Sequence, residues 1–545
     1  MRLIADSLLW IPALVENHGI GRYQAHTNLP LLTRACYLGY CDDSFAMLSR
    51  TLTRATIAVM GPAAGAKTAK EKSPVLCVDL DGTLIRGNLL WECVLVLLKT
   101  YPLRLLLLPF WLLGGRASFK RRLATQVCVD PARLCYRQQV LDLLASEKTA
   151  GRTLVLATAA DRRLAEAVSD YLGIFDAVHA SDGELNLKGA EKAAFLAQHY
   201  ARTGFDYVGD SSADLAVWRS ARAAYVVGTE ARARQAAAVT TVKEILLEPQ
   251  ATIHTWTKAL RGHHWAKNTL LFLPLLLSHN LAPASIVRTL YAFVLYGGCA
   301  SGLYILNDLL DLHSDREHPW KRERPFARGE ISIPQGLLAL SVLLFLTLGL
   351  ACYVDFYFGL VLLAYAALTM LYSLYLKKIA LLDVFVLSSF YSFRILAGAF
   401  ISDTPLSQWF LAFSMFFFLS LAMAKRYSEL LHASDLVKAG NSGRGYHTGD
   451  RELLLSLGVG SSFSAVVIFS LYVHSPEVRL LYGSPEFLFL LCPIVLYWLS
   501  RNWLLAHRGE LKEDPVTLAI RDPVSYGVAL AAAGVIAASM LGVHW

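Results

Sequence analysis

The chain has 545 residues, of which 55% are hydrophobic and only 17% are charged. This composition excludes a wholly soluble protein of this size and indicates several membrane spans. The formal net charge is +8, but the basic residues concentrate in particular loops, which favours a role in membrane topology over nucleic-acid binding. The nine cysteines form no Cys-x-x-Cys pair, so the sequence predicts neither a zinc site nor a disulfide framework.

Residues 1–72 carry little pattern. The first residues lack the basic start, the long apolar core and the cleavage site of a signal peptide. Residues 61–72 read GPAAGAKTAKEK, a composition typical of a linker. We expect residues 1–72 to form a poorly ordered extension and linker.

Residues 73–250 are predicted to form an α/β domain. An apolar strand runs into DLDGT at residues 79–83, where the two carboxylates point the same way because alternate residues of an extended chain do. A second strand ends at Thr158, and a third leads into GDSSAD at residues 209–214. Strands alternating with helices predict a Rossmann-like parallel sheet whose carboxyl edge binds ligands. Two adjacent carboxylates at such an edge suit a Mg²⁺ site with a nucleophile.

These motifs resemble those of the haloacid dehalogenase (HAD) superfamily of phosphatases. The resemblance implies that Asp79 is the nucleophile that forms an aspartyl-phosphate and that Asp81 is the general acid and base. It also implies that Asp210 and Asp214 complete a Mg²⁺ site with Asp79. The alternative is a HAD-like fold that is kept only as a scaffold.

The resemblance further implies that Thr158 holds the phosphoryl group and that a helix-borne lysine assists it. Lys192 fits this lysine best, with Lys188 as the rival. Residues 86–150, between the first two motifs, are expected to form a helical cap. Within it, the run 94–113 is unusually apolar, but prolines and charged residues interrupt it, so a full membrane span is not expected. An interfacial element pressed against the bilayer and a buried cap core both remain open.

Residues 251–545 are predicted to form an all-α membrane domain of nine transmembrane helices, because apolar runs recur at close to the length that crosses a bilayer. The runs lie near residues 270–282, 285–306, 334–353, 356–376, 379–401, 408–424, 452–474, 485–506 and 525–544. The loops after the even-numbered runs are rich in lysine and arginine, which places them in the cytoplasm. We therefore expect a multi-pass protein of the bacterial inner (plasma) membrane, with the α/β domain on the cytoplasmic side.

The end of the second run is the acidic sequence NDLLDLHSD, residues 307–315, which we call the acidic motif. On a helix, Asp308, Asp311 and Asp315 would share one face within about 60°. Three like charges on one face are unfavourable unless a hard cation bridges them to a phosphorylated ligand, and basic residues that follow could bind the phosphates. The alternative is a solvated loop beside the membrane.

The fifth run contains two ionisable residues, Asp383 and Arg394. Charges inside a membrane span are costly and usually functional. The alternative is a structural ion pair between helices.

This half of the chain resembles the UbiA superfamily of intramembrane prenyltransferases. Asn307 and the three aspartates fill the pattern NDxxDxxxD. The segments RGHHWAKN at 261–268, YSLYLK at 372–377 and AKRYSE at 424–429 are similar to one branch, the decaprenyl-phosphate phosphoribosyltransferases. The chain departs from the aromatic prenyltransferases, because their second carboxylate motif is reduced here to Asp383.

The resemblance to that branch implies that Mg²⁺ on the acidic motif binds phosphoribosyl pyrophosphate and that a polyprenyl phosphate accepts the phosphoribosyl group. Asp383 is expected to join the three aspartates of the motif in catalysis. The expected substrate-binding residues are Lys267, Asn307, Arg322, Arg324, Lys377, Arg394, Lys425, Arg426, Arg444 and Tyr446.

The fusion suggests that the HAD-like domain removes the 5-phosphate from the lipid-linked product. Two other functions remain open at this stage. One is prenylation of an aromatic acceptor, such as 4-hydroxybenzoate or a quinone precursor, from a polyprenyl diphosphate. The other is a non-catalytic membrane protein with a ligand-sensing HAD domain. The sequence predicts no oligomeric state.

Overall fold

The computed structural model describes residues 74–182, 184–248, 251–279, 281–436, 445–511, 515–519 and 521–540. The extension expected at residues 1–72 and the binding candidate Arg444 lie outside these residues.

A six-stranded parallel sheet with the order β3-β2-β1-β4-β5-β6 forms the centre of the amino-terminal part. Its strands are β1 Val75–Val78, β2 Leu154–Asp161, β3 Ala177–Ser181, β4 Phe205–Gly209, β5 Ala223–Gly228 and β6 Thr241–Leu247. β1 is buried throughout and pairs with β2 on one side and β4 on the other. The chain reverses its direction of winding beside β1, so a crevice opens at the carboxyl ends of β1 and β4. The expected Rossmann-like sheet is confirmed.

Both faces of the sheet are covered. Leu76 and Val78 belong to one hydrophobic cluster, and Val75 and Cys77 belong to another, as the alternation of a strand requires. Apart from the segment Pro102–Leu112, which is described next, the α-helices of this part are Leu89–Thr100, Arg116–Gln126, Gln138–Thr149, Arg162–Leu172, Ala190–His199, Leu215–Ser220 and Glu230–Ala237.

Two consecutive helical elements follow the first motif. We call Leu89–Thr100 the bridging helix; the side chain of Asn88 caps it by accepting a hydrogen bond from Leu90 N at 3.0 Å. We call Pro102–Leu112 the apolar segment. It consists of a 3₁₀ turn followed by a short α-helix, each with a proline at its start, where a missing N–H costs nothing.

Eight helices among the described residues are long and apolar enough to cross a membrane: Pro283–Leu310, Ile333–Val354, Phe356–Leu374, Leu382–Ile401, Gln408–His432, Thr448–Val473, Pro485–His507 and Pro523–Met540. They correspond to eight of the nine predicted spans, and the all-α membrane domain is confirmed. The first predicted span, near residues 270–282, is instead a 3₁₀ run, Gly262–Phe272, followed by the short helix Leu273–Leu277. Pro274 lacks the N–H that would continue a single helix through this point.

The bridging helix packs directly on the membrane helices. Its Leu95 belongs to one buried cluster with Leu306 and Ile333, which lie near the ends of Pro283–Leu310 and Ile333–Val354. The described residues belong to one compact unit, so the sheet and the membrane helices are held together.

Two glycines of the helix Arg451–Val473 allow a matched test of helix packing. A Cβ at Gly458 would lie 2.1 Å from Cζ2 of Trp503, whereas a Cβ at Gly460 would meet nothing within 4 Å. Because the Trp503 ring is buried and rigid, Gly458→Ala is expected to lower the free energy of unfolding by about 1–3 kcal/mol. Gly460→Ala is expected to raise it by up to about 1 kcal/mol, since alanine favours the helix. Thermal unfolding of both variants in detergent checks this, and equal shifts would contradict the packing.

Candidate active sites

The first candidate site lies at the carboxyl ends of β1 and β4. Asp79 follows β1, and Asp210 and Asp214 follow β4. One carboxylate oxygen from each lies within 4.8 Å of the other two. The parallel sheet therefore brings together the three aspartates that the sequence singled out as a metal site.

A lysine and a tyrosine link two of these carboxylates. Lys192 Nζ donates to Asp79 Oδ1 and to Tyr207 Oη, each at 2.8 Å, and Tyr207 Oη donates to Asp214 Oδ1 at 2.9 Å. Of the two lysines proposed from sequence, Lys192 is thus the one that contacts Asp79. Lys188 lines the same cavity. Tyr207 was not predicted, because it lies inside an apolar strand and resembles a core residue.

The loop after β1 fixes the second aspartate of the motif. Asp81 Oδ1 accepts a hydrogen bond from Leu89 N, at the start of the bridging helix, at 2.7 Å. Gly82 has φ +82°, and a Cβ there would lie 2.5 Å from Asp210 Oδ2. A side chain at position 82 would therefore be strained and would enter the carboxylate cluster. Thr158 is fully buried in β2 and lines the cavity in front of these groups.

Burial shapes the electrostatics of this site. Burial, opposed by Lys192, raises the pKa of Asp79 to about 7. Burial and the charge of Asp214 raise the pKa of Asp210 to about 6. Crowded, poorly solvated carboxylates are stabilised by a hard cation with oxygen ligands. The donor set therefore fits Mg²⁺.

The second candidate site is the acidic motif. We expected its aspartates on one face of one helix, but the membrane helix ends at Leu310 and a short helix, Leu312–Glu317, follows. Asp311 lies at the break with φ −96° and ψ 7°. Asp308 and Asp315 share Arg324, whereas Asp311 pairs with Lys377.

Each of these carboxylates is paired. Arg324 Nη1 lies 3.1 Å from Asp308 Oδ1 and 2.6 Å from Asp315 Oδ2. Lys377 Nζ donates to both oxygens of Asp311 at 2.8 Å. Two further cations, which the sequence did not single out, complete the set: Arg261 bonds Asp308, and Lys99 lies 3.8 Å from Asp311.

Three carboxylates at one helix end are ligands of the kind that Mg²⁺ takes. In the part of the chain that the structure describes, however, only the Asp79 group has its oxygens gathered closely enough for one ion. In the acidic motif, the carboxylates instead form ion pairs with arginine and lysine side chains. The site therefore combines a potential metal donor set with four positive side chains that can pair with phosphate.

The two ionisable residues of the fifth predicted span do not pair with each other. Asp383 is fully buried and bonds Arg426 and Tyr372, the latter at 2.7 Å. Arg394 donates to Asn268 Oδ1 at 2.9 Å and lies 5.1 Å from the ring of Tyr296. For Asp383, the ion pair between helices considered above is formed with Arg426 of the next membrane helix.

The remaining predicted binding residues are spread over the membrane domain. Lys267 lies 5.6 Å from the ring of Tyr391, and Tyr446 Oη accepts from Leu381 N at 3.0 Å. Arg322 is exposed and 3.7 Å from Glu323, outside the cluster that holds Arg324. Two others are half-buried, Asn307 and Lys425.

The bridging helix connects the two candidate sites. Its first residue bonds Asp81, and its Lys99 reaches Asp311. Between them, the buried Glu92 bonds His313 Nε2 at 2.9 Å and Arg316 at 2.8 Å. Burial alone would raise the pKa of Glu92, but the hydrogen bonds and charges of His313 and Arg316 hold it below its ordinary value.

A cavity of about 610 Å³ lies in front of the Asp79 cluster. Part of its wall comes from the segment that follows the acidic motif, and this part consists of Arg316, Phe326, Gly329, Ile331, Ser332, Ile333 and Pro334. The first site is therefore bounded by both halves of the chain.

Two families match the chain. Residues 76–219 match the haloacid dehalogenase-like hydrolase family, and residues 269–521 match the UbiA prenyltransferase family. A UbiA homologue of Archaeoglobus fulgidus, solved with GPP and Mg²⁺, is 17% identical with a TM-score of 0.41, over 52% of this chain and 99% of that one.

Three relatives match over most of their length. The uncharacterised protein y4nM of Sinorhizobium fredii is 39% identical over 86% of this chain and 91% of its own. Nodulation protein NoeC of Azorhizobium caulinodans is 37% identical over 49% of this chain and 87% of its own. A decaprenyl-phosphate phosphoribosyltransferase of Mycobacterium tuberculosis is 30% identical over 53% of this chain and 95% of its own. The chain thus belongs to the UbiA prenyltransferase family and carries a haloacid dehalogenase-like hydrolase domain ahead of its membrane helices.

Proposed function

We propose that this protein is a Mg²⁺-dependent transferase that moves a 5-phosphoribosyl group from phosphoribosyl pyrophosphate to a polyprenyl phosphate of the decaprenyl type. The observation that carries the proposal is the acidic motif with its four cations, a composition suited to a soluble diphosphate donor. Similarity to the mycobacterial decaprenyl-phosphate phosphoribosyltransferase supports this donor and this acceptor.

In the transfer, a phosphate oxygen of the polyprenyl phosphate attacks C1 of the ribose, and the bond from C1 to pyrophosphate breaks. Mg²⁺ on Asp308, Asp311 and Asp315 would stabilise the negative charge of the departing pyrophosphate. Arg324 and Lys377 hold these carboxylates in this structure and would exchange them for phosphate oxygens of the donor. The product would be a polyprenyl-phosphoryl-5-phosphoribose.

The hydrolase domain would then remove the 5-phosphate. Asp79 attacks the phosphorus, the bond to the ribose oxygen breaks, and Asp81 gives that oxygen a proton. Water then cleaves the aspartyl-phosphate with Asp81 as the base, and inorganic phosphate leaves. Lys192 and Thr158 would hold the phosphoryl oxygens. The cavity wall that the membrane domain contributes supports a lipid-linked substrate for this step.

Both sites would face the cytoplasm, in the inner membrane of a bacterium. The basic loop after Pro283–Leu310 supports this orientation under the positive-inside rule. Arg316 and Arg328 of that loop also contact the hydrolase domain, at Glu92 and Arg86. The domain would therefore lie on the same side of the membrane as this loop.

The direct test offers two substrate pairs to the purified protein in lipid nanodiscs with Mg²⁺. One pair is labelled phosphoribosyl pyrophosphate with polyprenyl phosphate, and the other is labelled prenyl diphosphate with 4-hydroxybenzoate. We expect lipid-soluble label from the first pair only. Prenylated 4-hydroxybenzoate from the second pair would instead indicate an aromatic prenyltransferase, and no product from either would indicate a non-catalytic protein with a ligand-sensing HAD domain.

A further inference from the structure

The apolar segment has two different faces. Leu105, Leu108 and Trp111 pack against the core of the hydrolase domain. The opposite face is exposed, and the exposed fractions are 81% for Leu103, 71% for Leu106, 67% for Phe110 and 85% for the adjoining Leu113. A contiguous apolar surface of this kind is unfavourable in water and marks a site of interaction.

The segment begins at the level of the membrane helix ends. It follows the bridging helix, whose Leu95 belongs to one buried cluster with Leu306 and Ile333 of two membrane helices. Lys99, three residues before Pro102, lies 3.8 Å from Asp311, directly after the end of Pro283–Leu310. The exposed face therefore continues outward from the ends of these membrane helices.

The same segment borders the hydrolase cavity. Leu112 lines the cavity beside Phe119, and Phe326 and Ile333 of the membrane domain form another apolar part of its wall. Arg316 and Lys120 also line the cavity and add positive charge to it. A ligand with a phosphate at one end and a hydrocarbon chain at the other matches this division.

We propose that the apolar segment lies in the interfacial layer of the bilayer and forms the side from which a lipid-linked phosphomonoester reaches the hydrolase cavity. Its exposed leucines and Phe110 contact lipid, as amphipathic interfacial elements do. The substrate keeps its polyprenyl chain in the bilayer while its sugar phosphate reaches Asp79. The contact with lipid stands alone, whereas the path of the substrate rests on the hydrolase step of the proposed function.

Photo-crosslinking tests the contact with lipid. The full chain with p-benzoylphenylalanine at Leu106 or Phe110 is placed in nanodiscs of phosphatidylethanolamine and phosphatidylglycerol, irradiated and analysed by mass spectrometry. The control carries the same group at Ile245, which is 44% exposed on β6. We expect lipid adducts at the two segment positions and none at position 245. Crosslinks to this chain, to a second copy, or no adducts above the control would overturn the proposal.

Kinetics test the path of the substrate. Leu106→Glu with Phe110→Glu places charges on the exposed face, and Ile245→Glu is the matched control. We expect kcat/KM for a polyprenyl-phosphoryl-5-phosphoribose in nanodiscs to fall at least about tenfold, and kcat/KM for soluble p-nitrophenyl phosphate to stay within about twofold. Equal effects on both substrates would overturn the path. A wild-type protein that leaves the lipid intact would refute the hydrolase step, while crosslinking would still decide the contact with lipid.

Discussion

Replacing Asp308 and Asp311 together by asparagine is expected to lower phosphoribosyl transfer by at least about 10²–10³-fold, the size of effect seen when one stabilising group for a developing charge is removed. Asparagine keeps the shape of the side chain but removes the charge that a divalent cation needs. The measurement is the rate at which label from phosphoribosyl pyrophosphate enters the lipid phase.

The hydrolase domain of this double variant should keep its activity on p-nitrophenyl phosphate within about twofold, because its carboxylates belong to a separate cluster. Asp403→Asn is the matched control. Asp403 is exposed at the far end of Leu382–Ile401 with φ 53°, a conformation that asparagine also adopts. Loss of both activities in a folded double variant would contradict two separate sites and indicate one coupled site.

Asp79→Asn is expected to lower phosphate release by at least about 10³-fold, since the amide is a poor nucleophile and removing a nucleophile eliminates the covalent route. Transfer should continue, so the lipid product should accumulate with its 5-phosphate. Thin-layer chromatography and mass spectrometry of the extracted lipid distinguish the two products.

The variant should fold, because the side chain at position 79 can still accept the hydrogen bond that Lys192 donates at 2.8 Å. Asp170→Asn, an exposed change on the helix Arg162–Leu172, serves as the control and should release phosphate at the wild-type rate. Equal phosphate release by Asp79→Asn and the wild type would rule out this domain as the source.

The sequence was most informative where local geometry determines the site. Asp79 and Asp210 each follow a short apolar strand, and the carboxyl ends of parallel strands meet at one edge. The proximity of these two carboxylates could therefore be predicted from the sequence alone. Three strands, β3, β5 and β6, were not predicted. The sequence of β6, TVKEILL, mixes exposed charges with apolar residues at the edge of the sheet.

Partners that lie far apart in sequence could not be predicted. Glu92 and His313 are separated by 221 residues, and neither position carries a motif that names the other. Asp383 cannot pair with Arg394 of its own helix, because eleven residues of helix separate their Cα atoms by about 16 Å. Its actual partner, Arg426, comes from the next membrane helix and depends on how the two helices pack.

The geometry of the acidic motif also could not be fully predicted from the sequence. Helical spacing predicts one face for the three aspartates, and Asp308 and Asp315 do share Arg324. The membrane helix ends at Leu310, however, and Asp311 at the break pairs with Lys377 instead. Pairing with separate cations relieves the repulsion of like charges, and helical periodicity alone does not predict these partners.

The central claim is that one chain performs transfer and then dephosphorylation. It is tested most directly with phosphoribosyl pyrophosphate that carries ¹⁴C in the ribose and ³²P in the 5-phosphate, given with polyprenyl phosphate and Mg²⁺ to the wild-type protein in nanodiscs. We expect ¹⁴C in the lipid and ³²P in inorganic phosphate, with ³²P appearing after a lag during which the lipid carries both labels. Both labels staying in the lipid would contradict the hydrolase step, and no label in the lipid would contradict the transfer.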